Sequence, residues 1–222
     1  HLDGYRGSQP VRIGNGAVDQ LQLDVFGEVI LSINTYMRYG GYISGQIWSI
    51  VNDYAEMTCR SWHLPDRSIW EVRGPERHFT YSKAMCWAAL DKAIEIGMET
   101  GHKSKLAKWR RVADQIKTEV LTRGWNEEKQ AFVQSYDSNV MDASSLILTW
   151  TGLLPPDDPR IQSTIARTVE ELGSGPFVNR YKVGEADDGL KGKEGALTML
   201  SFWLIGGLMS SGKVQQAKSL FE

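Results

Sequence analysis

Cysteine is scarce in this chain: Cys59 and Cys86 are the only two among 222 residues. No metal-ligand spacing joins them. They read as small buried hydrophobes of a reducing compartment, with a single disulfide between them as the alternative. Proline is sparse as well, and no Pro-, Gly- or Ser-rich linker divides the sequence into two domains. A surplus of either charge is missing. Twenty-five Lys and Arg stand against 27 Asp and Glu, so no basic excess exists to neutralise phosphates, and no nucleic-acid partner is expected. No apolar run approaches the ~18 residues of a membrane span, so no membrane partner is expected either. The start, "HLDGYRGSQP", lacks the charged-then-apolar pattern of a signal peptide, and no Asn-x-Ser/Thr acceptor occurs. These features together lead to a cytoplasmic expectation.

Aromatic residues, by contrast, are plentiful: eight Trp and eight Tyr. Aromatic faces pack against each other in cores and also against sugar rings, so the excess serves either purpose. Apolar residues recur at helical spacing almost throughout. Val18, Leu21, Val25, Val29 and Ile33 form one stripe, and Ile43, Ile47, Val51 and Tyr54 the next. Ala84, Ala88 and Ile94 belong to a third helix. Leu106, Trp109, Ala113, Ile116 and Val120 make the clearest stripe. Leu146, Ile147 and Trp150 form a fifth. Asp158 is an expected N-cap with Pro159 at the first helical position. Leu197, Leu200, Leu204 and Leu208, then Val214, Ala217 and Leu220, supply the last two. Convincing alternating strands are absent, so the expected class is all-α.

Long polar-aromatic segments interrupt these helices at "GYRGSQPVRIGN", "IWEVRGPERHFTYS", "GWNEEKQAFVQSYDSNVMDAS" and "PFVNRYKVGEADDGLKGKEG". Short connections such as "RYGGY" and "TGHKS" alternate with them. This rhythm describes repeated helical hairpins with long loops on one face. Closed into a ring, such hairpins gather the long loops over one mouth. Six hairpins need about twelve helices, and the sequence offers eight, so the expectation is a partial barrel forming one domain over 1–222. The close, "KVQQAKSLFE", reads like a helix cut in its stride.

One carboxylate in the second long loop draws particular interest. Glu71 follows Trp70 and precedes Arg73 and a glycine turn. An apolar wall beside a carboxyl group disfavours ionisation, as a general acid requires. The alternative is that Glu71 pairs with Arg73 or Arg77 on a solvated loop. Arg73 serves equally well to hold Glu71 or to meet a substrate hydroxyl. His78 is a candidate substrate donor, set against an ordinary structural role. The Asp187-Asp188 pair reads as a solvated loop, and its "GEADDG" context has too few regularly spaced oxygens for a calcium loop.

Seven stretches in order, "GYRGSQPVRIGN", "QLQLDVFGE", "IWEVRGPERHFTYSKAMCWAALDKAI", "FVQSYDSNVMDASSL", "GLLPPDDPR", "NRYK" and "DDGLKGKEGALTMLSFWL", resemble glycoside hydrolase family 15. The phrasing is similar to its trehalase-like branch. The resemblance implies an (α/α)6 toroid, incomplete in this chain, and inverting hydrolysis of trehalose or short α-glucosides, a carbohydrate substrate. It assigns Glu71 the acid role and makes Trp70 a wall of the sugar site. It also puts Arg180, and with less support Arg12, on substrate hydroxyls. Where glucoamylases carry a tryptophan after "GYRGS", this chain has Gln9, which sets it apart from long-starch handling. The second carboxylate suggested by the sequence alone is Glu194 in "GKEGA". The family register places the base in a motif beyond Glu222 and an early sugar-binding motif before His1. Acid-base hydrolysis of this kind needs no metal and no organic cofactor. Three rivals stay open. A helical terpenoid cyclase would need an aspartate-rich metal motif on an inner helix, and a non-catalytic helical-repeat scaffold would need a continuous groove of repeated residues. The third is a truncated hydrolase fragment that keeps the fold and does no chemistry.

Overall fold

The Asp158-Pro159 start signal marks a helix as expected. Asp158 Oδ1 accepts the Arg160 N–H at 2.9 Å and Pro159 occupies the first turn, so an orphan donor is satisfied where the helix begins. In the computed structural model, which describes residues 3–11, 14–184 and 195–222, eight α-helices follow one another. These are α1 (Asp24–Arg38), α2 (Gly45–Ser61), α3 (Thr80–Glu99), α4 (Leu106–Arg123), α5 (Leu148–Thr151), α6 (Pro159–Leu172), α7 (Thr198–Ser210) and α8 (Val214–Phe221). A 3-10 turn, Ala143–Ile147, leads directly into the one-turn α5. Among the described residues, strand is confined to two antiparallel pairs of two residues each, β1 (Trp125–Asn126) with β2 (Ala131–Phe132) and β3 (Gly173–Ser174) with β4 (Phe177–Val178).

The helices pair as hairpins: α1 with α2, α3 with α4, the 3-10 turn before α5 with α6, and α7 with α8. Burial separates the two members of the second pair. Fifteen of the twenty residues of α3 are buried, whereas α4 buries a single stripe of Trp109, Ala113, Ile116 and Val120. A helix buried all round lies inside its neighbours, and a one-striped helix lies outside them. The same order holds less sharply in the first and last pairs, where α1 and α7 bury five residues each and α2 and α8 three and one. A cavity of about 710 Å³ is lined by α1, α3, the α5 segment and α7, with Ile69 from a loop, and by no residue of α2, α4, α6 or α8 among those described. Alternate helices therefore face a common hollow, which is the geometry of an (α/α) toroid.

The α1 stripe departs from expectation. Val18 and Val25 are 82% and 41% exposed, and the buried face is Asp24, Phe26, Gly27, Ile30 and Asn34. The reason is close packing on α3: a Cβ built at Gly27 would lie 2.5 Å from the Met85 carbonyl oxygen. The glycine face turns inward because only there can the two backbones approach. Trp150, placed in the fifth stripe, is likewise 44% exposed. Both cysteines are free thiols, Cys86 buried and Cys59 half-buried. Among the described residues, no helix is long and apolar enough to cross a membrane.

Long connections lead into α1, α3, the 3-10 turn and α7, and they meet one another. Arg67 N–H donates to Leu21 O at 3.0 Å, Phe79 bridges to Ser135, and Ala143 N–H donates to Arg180 O at 2.8 Å. Segments from four parts of the chain thus form one mouth above the inner helices.

Candidate active site

Trp70 is the centre of the mouth. Its indole N–H points at Asp142, with both carboxylate oxygens in reach at 2.9 and 3.0 Å. Asp142 is buried, and it also accepts from Gln134 Nε2 at 3.0 Å and from the Ser144 N–H at 2.8 Å. Burial pushes its carboxyl up from the ordinary range, and those three donors oppose the push. The Trp70 ring then serves as a platform. The Arg180 guanidinium lies 5.4 Å from its centroid, and the Trp203 ring stacks at 6.0 Å with 30° between planes. Arg180 also lies 5.1 Å from the ring of Tyr181, which is buried beside Val140 and Trp70.

Glu71 follows directly. It adopts a left-handed backbone, φ 51°, and its carboxylate is exposed rather than walled in by the indole, which is turned toward Asp142. Its Oε2 accepts from Asn15 Nδ2 at 3.2 Å, and its backbone N–H donates to Ser68 O at 3.1 Å. Arg73, two residues on, is also exposed. The hollow between the inner helices opens alongside: Ile69 and Trp203 line it, and Glu28 supplies a carboxylate there that the buried Tyr81 hydroxyl hydrogen-bonds. Burial and the Glu28 charge push the Tyr81 phenol up, so it stays a neutral donor. A larger hollow, about 1040 Å³, runs along the outer face of α4 and shares no residue with the Trp70 group.

Of the residues singled out in the sequence, Arg180 packs on the Trp70 ring, while Glu71 is Trp70's chain neighbour with its carboxylate on Asn15. His78 keeps other company: its ring stacks 5.9 Å from Tyr136, and its carbonyl accepts the Tyr136 N–H at 2.9 Å. Burial, then the charges of Lys83 and Arg123, push its pKa down. Arg12 and Glu194 lie outside the described residues, as does the Asp187-Asp188 pair. Sequence reasoning missed Asp142, Asn15, Glu28 and Trp203. Asp142 carried a faint local signal, an Asp just ahead of small residues that open a 3-10 turn. Among the described residues no cluster of His, Cys, Asp and Glu is placed to hold a metal ion.

The sequence profile of Glycosyl hydrolases family 15 matches residues 1–221. The chain belongs to this family. Family-15 relatives include a trehalase of Mycobacterium tuberculosis, 42% identical over 222 residues, covering all of this chain and 32% of that protein. A trehalase of Thermoplasma volcanium is 39% identical over 221 residues, covering 99% of this chain and 35% of the relative. The chain therefore spans about a third of the length of these curated relatives. Among solved structures, a glycosidase in complex with glucose superposes with TM-score 0.77 at 21% identity, over 89% of this chain and 51% of that one. A glucoamylase from Saccharomycopsis fibuligera gives TM-score 0.67 at 12% identity, over 84% and 47%. Those likenesses are of fold. They place the alternating hairpins with the (α/α)6 fold, of which this chain matches about half.

Proposed function

We propose that this chain carries the acid half of an inverting α-glucoside hydrolase, with Glu71 protonating the glycosidic oxygen of trehalose or a short α-glucoside. The observation that supports this most is the juxtaposition at the mouth: an exposed carboxylate adjoining a tryptophan platform that bears an arginine. Trp70 is read as a wall of the sugar site, and Asp142 keeps its indole from turning. Arg180 packs on that ring, and the family resemblance puts it on substrate hydroxyls. Arg73 and Arg12 are assigned secondary contacts, and His78 a supporting place against Tyr136. The second carboxylate, which activates water on the opposite face of the sugar, is supplied by a segment following Glu222, with Glu194 as the candidate inside this chain. Both thiols are free, which suits a reducing compartment such as the cytoplasm.

The test uses a chimaera in which this chain replaces the matching segment of the Mycobacterium tuberculosis trehalase, a relative that supplies the flanking parts. Loss of a general acid typically costs about 10²–10⁴ in rate. Glu71→Gln is therefore expected to lower kcat for glucose release from trehalose by that range, with KM little changed. A variant that keeps full kcat would remove Glu71 from the chemistry.

A further inference from the structure

We propose that Asp66 is a positioning residue for Glu71, fixing the loop from Arg67 to Arg77 on the leading end of α1. The proposal rests on the reading of Glu71 as the acid. Asp66 is fully buried. Its backbone closes the base of the loop: Asp66 N–H donates to Arg77 O at 2.9 Å, and Arg77 N–H donates to Asp66 O at 3.1 Å. Its side chain ties that base to α1 and to the loop at once. Oδ2 accepts the N–H of Leu23, the residue preceding α1, at 3.1 Å and the N–H of Ser68 at 3.2 Å.

Ser68 passes the constraint on. Its carbonyl accepts the Glu71 N–H at 3.1 Å and Gln22 Nε2 at 3.2 Å. A continuous line of hydrogen bonds thus runs from the Asp66 carboxylate through the Ser68 peptide to the backbone of Glu71. Both ends of that peptide relay need holding. Ser68 and Glu71 each sit at positive φ, 56° and 51°, a region that non-glycine residues occupy only when their surroundings over-determine it. Arg67 adds a second tie, its guanidinium reaching the carbonyls of Val72 and Gly74. Burial pushes the Asp66 carboxyl up from its ordinary range and the N–H donors on it oppose the push; as a carboxylate it makes the strong bonds of this set. Asp66 lies beneath the loop and offers nothing to a substrate, so its effect passes through Glu71.

Amide hydrogen exchange, read by mass spectrometry on the 222-residue chain, tests the clamp without needing activity. Asp66→Asn keeps the shape and removes the charge. Turning two hydrogen bonds to a charged acceptor into bonds to a neutral one corresponds to about tenfold or more in opening. Amides of residues 67–72 should then exchange at least that much faster, with those of α3 unchanged. Unchanged protection at 67–72 overturns the clamp. Should the amide variant not fold, Asp66→Ser, which keeps a hydroxyl acceptor, repeats the measurement. Unfolding of both variants makes Asp66 a core residue and overturns the proposal too. In the chimaera, Asp66→Asn should lower kcat by about tenfold while KM moves far less. A loosened loop with unchanged kcat also contradicts the positioning role. Full activity in Glu71→Gln, whatever the exchange shows, overturns the acid reading instead.

Discussion

At the scale of single residues, the mouth depends on a few buried carboxylates aimed at donors rather than on paired surface charge. Asp142 accepts from Trp70, Gln134 and the Ser144 backbone with two oxygens. Replacing one oxygen by an NH₂ group turns an acceptor into a donor facing N–H groups. Asp142→Asn is therefore expected to cost about 1–3 kcal/mol, the range for a buried polar group left unsatisfied. Urea denaturation measures it, and a change under about 0.5 kcal/mol would show that the indole is held by packing alone. The Trp70-Glu71 pair was legible in the sequence because the two residues are adjacent. Asp142 was not, since it lies 72 positions away from Trp70 and only folding joins them. Trp203 and Asn15 escaped notice for the same reason. His78 looked like a site residue because it shares a loop with Glu71, yet its ring finds Tyr136 instead.

At the scale of elements, helix spacing was most readable where a helix has one wet face. The α4 stripe named from the sequence reappears as the buried Trp109, Ala113, Ile116 and Val120. Inner helices break that logic. The α1 stripe was misplaced because the buried face includes Gly27 and Asn34, which a search for apolar spacing passes over. The short β pairs were invisible for a simpler reason, since two residues cannot show an alternation. Gly27 carries a prediction of its own. An added methyl group meets the Met85 carbonyl oxygen at 2.5 Å, and backbone cannot step aside cheaply. Ala is the better helix former by about 1 kcal/mol, but overpacking a close helix contact costs about 1–3 kcal/mol and more where backbone is struck. Gly27→Ala should lower the urea midpoint, and an unchanged or raised midpoint would mean that α1 and α3 can slide apart freely.

At the scale of the whole molecule, the hairpin rhythm and the alternation of inner and outer helices follow from loop lengths and burial, and the likeness in fold to solved glycosidases agrees with both. The protein's stability should also carry a mark of its buried acids. Asp24 is buried beside Asp66, and burial first, then the Asp66 charge, push its pKa from 3.8 up to about 7. Between those values the folded state holds a proton that the unfolded state has released. Stability from this group therefore falls as pH rises through the window, at up to about 1.4 kcal/mol per pH unit, and levels off above it. Asp24→Asn should remove that slope. The stability of the variant relative to the parent is expected to rise from pH 4 to 7 and then stay flat, as followed by urea denaturation. A difference that does not vary with pH would mean that Asp24 is ionised in the fold.

The measurement closest to the central claim compares two leaving groups in the Glu71→Gln chimaera. Trehalose needs its glycosidic oxygen protonated as it departs, whereas fluoride leaves α-glucosyl fluoride without an acid. If Glu71 is the general acid, the variant loses hydrolysis of trehalose and keeps much of its rate on the fluoride, releasing β-glucose in both parent and variant. Equal loss on the two substrates would contradict that role and reduce Glu71 to a residue that shapes the loop.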